Sequence, residues 1–226
     1  MLLRSVYDAF RCMNLLATVS EPTGIREIGR KLSLDSAKVT RIMQTLLALE
    51  MVHRNEKRKY SLGLGVHRFS AHAIHNSAFY KAVLEILEEV GNKPVSIVIG
   101  VLSGKDVVYL IHTRQGKSVA RAIGNYDSFP VTDSIIGIKL LAGCSDEEII
   151  RLIGIHDFQL IKEDIDNARR HQVLVKRYPP GNDYRMACSI PGMQAAIALS
   201  NLSGEKLELE TLKQFLVSAA QKISGG

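Results

Sequence analysis

Cysteine is scarce in this chain, and what little there is has the wrong spacing for metal or redox chemistry. Cys12, Cys144 and Cys188 are odd in number and share no CxxC pair, so a disulfide framework is not expected. They read as reduced, buried thiols of an intracellular protein. Long apolar runs are also missing: none approaches the roughly 18–20 residues that a bilayer span needs. Arg4, Asp8 and Arg11 interrupt the N-terminal region where a signal peptide would need an unbroken apolar stretch. A cytoplasmic protein without a membrane partner is therefore expected. Apolar residues make up 46% and charged residues 23%, an ordinary globular balance that argues against disorder.

Acid is scarce in one place only. Residues 1–76 contain twelve Lys and Arg against six Asp and Glu, whereas residues 77–226 contain seventeen of each. The whole net charge of +6 thus belongs to the first third of the chain. A basic segment joined to a neutral one points to a part that meets a polyanion and a part that does something else.

Within that third the apolar spacing predicts three helices. Ser5 to Ala17 places Val6, Ala9, Phe10, Met13, Leu16 and Ala17 on one face. After Glu21-Pro22-Thr23-Gly24, a short helix from Ile25 to about Leu32 turns Ile25, Ile28 and Leu32 inward and Arg26, Glu27, Arg30 and Lys31 outward. Ser33-Leu34-Asp35 makes a turn, and a third helix runs from Ser36 to about Glu50. Its apolar residues Val39, Ile42, Met43, Leu46 and Leu47 keep helical phase throughout. The opposite arc holds Ala37, Lys38, Thr40, Arg41, Gln44 and Thr45 without one acid. A solvated helix face normally mixes signs, so this arc reads as groove-facing. Arg41 suits a guanine edge and Gln44 an adenine edge, while Lys38 and Thr40 suit edges or phosphates. Met51, Val52, Tyr60 and Leu62 then flank a polar tip, Asn55 to Lys59, as two short strands. Arg54, Lys57, Arg58 and Lys59 on this hairpin would grip phosphates, giving affinity and salt dependence but no sequence information.

Each piece alone has a bland reading, a surface helix pair or a solvated basic turn; the ordered set does not. Ile25-Arg26-Glu27-Ile28-Gly29-Arg30-Lys31-Leu32-Ser33-Leu34, then Val39-Thr40-Arg41-Ile42-Met43-Gln44-Thr45-Leu46, then Tyr60-Ser61-Leu62-Gly63 resemble the winged helix-turn-helix of the IclR family of bacterial transcription regulators. Asp35 stands where that family often has proline, a harmless change because an acid is favourable at a helix N-terminus. The resemblance implies a winged helix-turn-helix over residues 1–64, a linker helix over 65–78 that often joins the dimer contact, and a GAF-like effector domain over 79–226. It implies operator DNA, a small-molecule effector and self-association as a dimer or dimer of dimers, with a repressor among the roles the family fills.

The remaining pattern agrees with an α+β class. Phe79 to Val90 is amphipathic. Ser96 to Leu102 and Val107 to His112 form a hairpin, and Ser118 to Ile123 is a further strand candidate. Helices are expected at Ser145 to Ile153, Glu163 to His171 and Leu207 to Ile223, with strands at Leu174–Tyr178, Tyr184–Ile190 and Gln194–Ser200. Gly63-Leu64-Gly65 lacks the third glycine of a dinucleotide loop, and Gly100 with Gly104-Lys105 has the wrong gap for a P-loop. His72 and His75 have helical spacing but no flanking carboxylate or thiol. No nucleophile–base pair survives inspection, so neither an enzyme nor a cofactor is expected.

Pro130 to Ala142 resembles the family segment in which a loop enters a helix at the effector pocket. That likeness marks Ser134, Ile135 and Ile136 as ligand contacts, with Ser134 equally readable as a plain helix cap. The likeness weakens after residue 170. Ala187 falls where the family's pocket cysteine belongs, Cys188 lies one place later, and Lys176 and Arg177 occupy the neighbourhood of the usual acid. Cys188, Ser200 and Ser203 are carried over as further candidates. Arg177 and Arg185 would suit an organic, sugar or aromatic acid through a guanidinium fork. Core packing for Cys188 and plain solvation for both arginines stand as the alternatives, as does a second domain that only holds a dimer together.

Overall fold

The computed structural model describes residues 2–90, 95–113, 122–178, 183–202 and 208–225, with the side chains of 123–126 and 201 left aside. It divides into two compact units, Met1–Ser77 and Ala78–Gly226.

In the first unit α1 (Arg4–Thr18), α2 (Ile25–Leu32) and α3 (Ser36–Ala48) enclose a small core of Cys12, Leu16, Ile28, Val39, Met43, Val52 and Tyr60. The chain leaves α2 through Ser33 in the left-handed region and enters α3 under Asp35, whose carboxylate accepts the Lys38 amide at 2.8 Å. β1 (Val52–Arg54) and β2 (Tyr60–Leu62) form the hairpin, pairing Val52 with Leu62 and Arg54 with Tyr60. Thr23 adds a bridge to Tyr60 that ties the loop before α2 to the hairpin. Gly63 closes this unit for a steric reason. A Cβ there would stand 2.3 Å from the Glu50 carbonyl, so the chain can leave the hairpin beside the end of α3 only with glycine.

Two expectations for this unit are corrected. The buried stripe of α1 is Asp8, Cys12 and Leu16, while Val6 and Phe10 are exposed. The apolar wheel excluded Asp8, yet two cations draw that carboxylate inside and rotate the helix with it. Leu47, expected inward, is exposed at the rim of α3. α4 (Leu64–His75) follows, with Leu64 and Phe69 exposed.

The second unit is one antiparallel sheet of six strands between two helical layers, in the order β5-β4-β3-β8-β7-β6. Its strands are β3 (Ser96–Ser103), β4 (Asp106–His112), β5 (Ile123–Pro130), β6 (Val173–Tyr178), β7 (Asp183–Ser189) and β8 (Ala195–Leu202). Side chains alternate between the two faces. Ile97, Ile99, Met186, Cys188, Ile197 and Leu199 pack against α5 (Ala78–Val90) and α9 (Leu209–Ser224). Val98, Val107, Leu174, Ala187, Ala196 and Ala198 pack against α6 (Ile135–Leu141), α7 (Asp146–Ile153) and α8 (Ile155–Arg170). Three alanines lie on the second face, and Gly100 sits among them with Ile136 only 3.1 Å from where a Cβ would be. Small residues let α6 lie close on the sheet, and every residue of α6 is buried.

The expected strand at Ser118–Ile123 lies mostly outside the described residues, and the strand observed is β5, later in the chain. α8 begins eight residues before the expected Glu163, because Phe158 and Ile161 continue the buried phase of Ile165 and Ala168. α7 carries a capping box, with Ser145 and Glu148 satisfying each other's backbone amides.

Candidate functional site

In the first unit the exposed arc of α3 lies between two cationic elements. Ala37, Arg41, Gln44 and Thr45 are exposed and Thr40 is half-buried. The Thr40 and Thr45 hydroxyls donate to the carbonyls of Ser36 and Arg41 in their own helix. Arg26 is exposed on α2, and Arg54, Lys57, Arg58 and Lys59 are exposed on the hairpin. Its tip is fixed by Asn55, which accepts the Lys59 amide at 3.0 Å, and Arg58 takes a left-handed φ of 58° there. Among the described residues no acid pairs with Arg26, Arg41, Lys57, Arg58 or Lys59. Cations left unpaired on a folded surface are those that can exchange their counterions for phosphates.

Lys38 does not share that arrangement. Its ammonium turns toward α1 and meets the fully buried carboxylate of Asp8 at 2.5 Å. Arg11 binds the other oxygen of Asp8 at 3.2 Å and donates to the Leu32 carbonyl at the end of α2. The Lys38 hydrogen bond, opposed by burial and helped by Arg11, holds the Asp8 carboxyl below the usual carboxylate range.

In the second unit a polar cluster gathers where α6 begins. Gly137 makes the approach possible: a Cβ would stand 2.1 Å from the Val131 carbonyl. Ser134 caps α6, accepting the Gly137 amide at 3.4 Å, and shares a hydrogen bond of 3.1 Å with the Tyr109 hydroxyl. The Tyr109 ring stands edge-on to His112 and tilts against Phe129 at 5.0 Å. His112 Nδ1 in turn meets Asp127 at 2.6 Å. Tyr178 adjoins this group. Burial pushes its phenol up, and it feels the charges of Arg185, Asp164, Tyr109 and Asp133. The Arg185 guanidinium stacks over the Tyr178 ring at 4.0 Å and touches Asp183 only through Nε, at 3.5 Å. Its two terminal nitrogens have no partner among the described residues. Lys176 is held by Asp164 at 2.5 Å.

The sequence candidates separate on this map. Ser134 and Arg185 lie in the cluster, and strand alternation puts Ser200 on the same sheet face as Ala196 and Ala198. Ile135 and Ile136 are core residues beneath it, 4% and 0% exposed. Arg177 is exposed and falls in the alternation of Val173 and Val175, which pack toward α5 and α9. Cys188 is buried on that same opposite face, where burial pushes its thiol up and nearby Lys139 eases it. Arg177 and Cys188 are therefore not brought together with Ser134. Ser203 lies outside the described residues. Residue-pattern reasoning missed Tyr109, Tyr178 and Asp164, although Tyr109 alternates with Val107 on the face that α6 covers. Among the described residues no group of three His, Cys, Asp or Glu could hold a metal ion, and no helix is long and apolar enough to cross a membrane.

Comparison with family models and with curated proteins finds no match. Comparison with solved structures does. A regulator from Silicibacter sp. aligns over 98% of this chain and 95% of its own, with a TM-score of 0.77 at 17% identity. An IclR transcriptional regulator from Alicyclobacillus acidocaldarius aligns over 100% and 99%, with a TM-score of 0.69 at 19% identity. The fold is that of the IclR regulators. An IclR homolog from Microbacterium hydrocarbonoxydans, complexed with 4-hydroxybenzoate, shares the architecture over 98% of both chains, with a TM-score of 0.61 at 20% identity. In this fold Ala187 packs on the α6 side of the sheet, and Cys188 packs on the opposite side.

Proposed function

We propose that the chain is a DNA-binding transcription regulator whose second unit takes a small carboxylate as effector. The observation that carries the first half is the acid-free, exposed arc of α3 beside a hairpin of unpaired cations. Arg41 and Gln44 read base edges, and Arg26, Arg54, Lys57, Arg58 and Lys59 grip phosphates. Residues 1–64 form the DNA-binding part, 65–78 the linker and 79–226 the effector part. The chain acts as a dimer or dimer of dimers, a reading supported by the uncovered apolar residues Val6 and Phe10 on α1, Leu3 just before it, and Leu64 and Phe69 on α4. Fluorescence anisotropy with duplexes from upstream of the chain's own coding sequence tests this. Retained binding by the double variant R41A/K57A would count against the assignment.

For the second half, the support is the Arg185 fork stacked on Tyr178 beside Tyr109 and Ser134. A planar carboxylate suits two parallel N–H donors, and aromatic walls suit an aromatic acid such as the 4-hydroxybenzoate of the Microbacterium protein. An effector acts only through different affinity for two arrangements of the DNA-binding units. A ligand-free scaffold is the competing reading. It is favoured by the pairing of Lys176 with Asp164 and by the use of Ser134 as a helix cap. A thermal-shift panel of organic, sugar and aromatic acids separates the two, since a ligand at one hundred times its Kd adds about 2.7 kcal/mol of stability. Silence across the panel would favour the scaffold.

A further inference from the structure

We infer that Asp8 is a positioning residue of the DNA-reading head, which holds Lys38 out of the DNA footprint and ties α1 and α2 to α3. The inference rests on the DNA-binding reading above and concerns which cations of the head meet phosphate.

Three observations carry it. Asp8 is fully buried on α1, an unusual place for a carboxylate unless cations accompany it. Its two oxygens are divided between α3 and α1: Lys38 takes one, and Arg11 takes the other while also capping the end of α2 at Leu32. One buried acid, with the arginine beside it, thus joins α1, α2 and α3. Lys38 also differs from the cations assigned above to DNA. Arg26, Arg41, Lys57, Arg58 and Lys59 have no acid partner among the described residues, whereas Lys38 is bound to one and only 28% exposed.

The consequence for binding is a matter of counting. A lysine whose charge is already matched inside the protein releases no counterion when DNA arrives, so it adds nothing to the salt dependence. It also has little freedom to settle on any phosphate within reach. Base discrimination is then left to Arg41 and Gln44, whose backbone is held at fixed depth by the α1 contact. Loss of the Asp8 charge would release a flexible cation at the start of α3, raising sequence-independent affinity without adding base contacts.

The test uses the full chain and a fluorescein-labelled random-sequence duplex of about 30 base pairs, titrated across a salt series, with circular dichroism as the folding check. Wild type, D8N, K38M and D8N/K38M are compared. D8N is expected to steepen the slope of log affinity against log salt by about 0.9, which adds about a three- to fourfold loss of affinity between 50 and 200 mM salt. K38M and D8N/K38M are expected to keep the wild-type slope. If D8N does not fold, the other two variants still decide the matter. A K38M slope shallower by about one phosphate would make Lys38 a DNA contact and overturn the inference, as would a folded D8N with an unchanged slope. A wild type that binds no duplex would overturn the DNA-binding reading itself and this role with it, an outcome distinct from either of these.

Discussion

Lys139 offers the sharpest test of how α6 is held. It is 8% exposed on a helix that is otherwise wholly apolar and buried, and its ammonium donates to the carbonyls of Ala168 and His171, each at 2.7 Å. Those carbonyls belong to the C-terminal end of α8, where a helix has acceptors without partners of its own. Replacement by methionine keeps the stem and removes the donors. A hydrogen bond to a charged group contributes about 1.5–3 kcal/mol. His171 is exposed, so its carbonyl can recover water, while the carbonyl of buried Ala168 cannot. Against this stands relief of the cost of burying an ammonium. The bonds should win, because one acceptor is left stranded, and K139M should lose about 3 kcal/mol. For a unit of this size that lowers Tm by roughly 6–12 °C. The pH dependence gives a second check. Burial holds the Lys139 pKa below the usual lysine value, with Cys188 opposing. Between that depressed value and the unfolded 10.5 the unfolded chain binds more protons, so wild-type stability rises with pH there. The gap between wild type and K139M, followed by calorimetry from neutral to alkaline pH, should widen. A variant that melts at or above wild type, or a gap that narrows, would refute the reasoning.

Three further outcomes follow from the geometry. Gly137→Ala places a methyl 2.1 Å from the Val131 carbonyl, so denaturant melts should show a loss of about 3 kcal/mol or more. Arg185→Lys keeps the charge but removes the fork, so any acid that shifts the wild-type melting temperature should bind at least about tenfold more weakly. The Asp8 carboxyl is depressed on folding, first by Lys38 and then, against burial, by Arg11; its contribution is present above the unfolded value of 3.8 and disappears as pH falls through the lower folded one. Acid unfolding followed by circular dichroism should therefore show wild type and D8N converging only below pH 3.8.

The sequence was most informative where a pattern is local. The bounds of α2 and the hairpin, the core face of α3 apart from Leu47, and the strands from Val173 onward follow from apolar spacing and turn residues within a few positions of each other. It was least informative where the deciding partner is distant. Nothing near Asp8 announces that it is buried; Lys38, thirty residues on, decides that. β5 includes Gly124, Asn125, Asp127, Ser128 and Pro130, a composition typical of loops, and it becomes a strand because β4 offers it a ladder from Ile111 to Asp106. The effector candidates show a third case. Family likeness placed Cys188 in the pocket, but period-two alternation through Met186, Ala187 and Cys188 puts Ala187 on the α6 side and the thiol on the other. That parity was readable beforehand.

The two-faced sheet has a mechanical consequence. Neighbouring residues such as Ile97 and Val98, or Ala196 and Ile197, belong to separate cores, so the strands form a partition between them. Toward α6 that partition carries Ala187, Ala196, Ala198 and Gly100 beside Val98, Val107 and Leu174; toward α5 and α9 it presents isoleucine, leucine and methionine. A change of volume on one side of the strands therefore reaches the other core only through the backbone of the sheet.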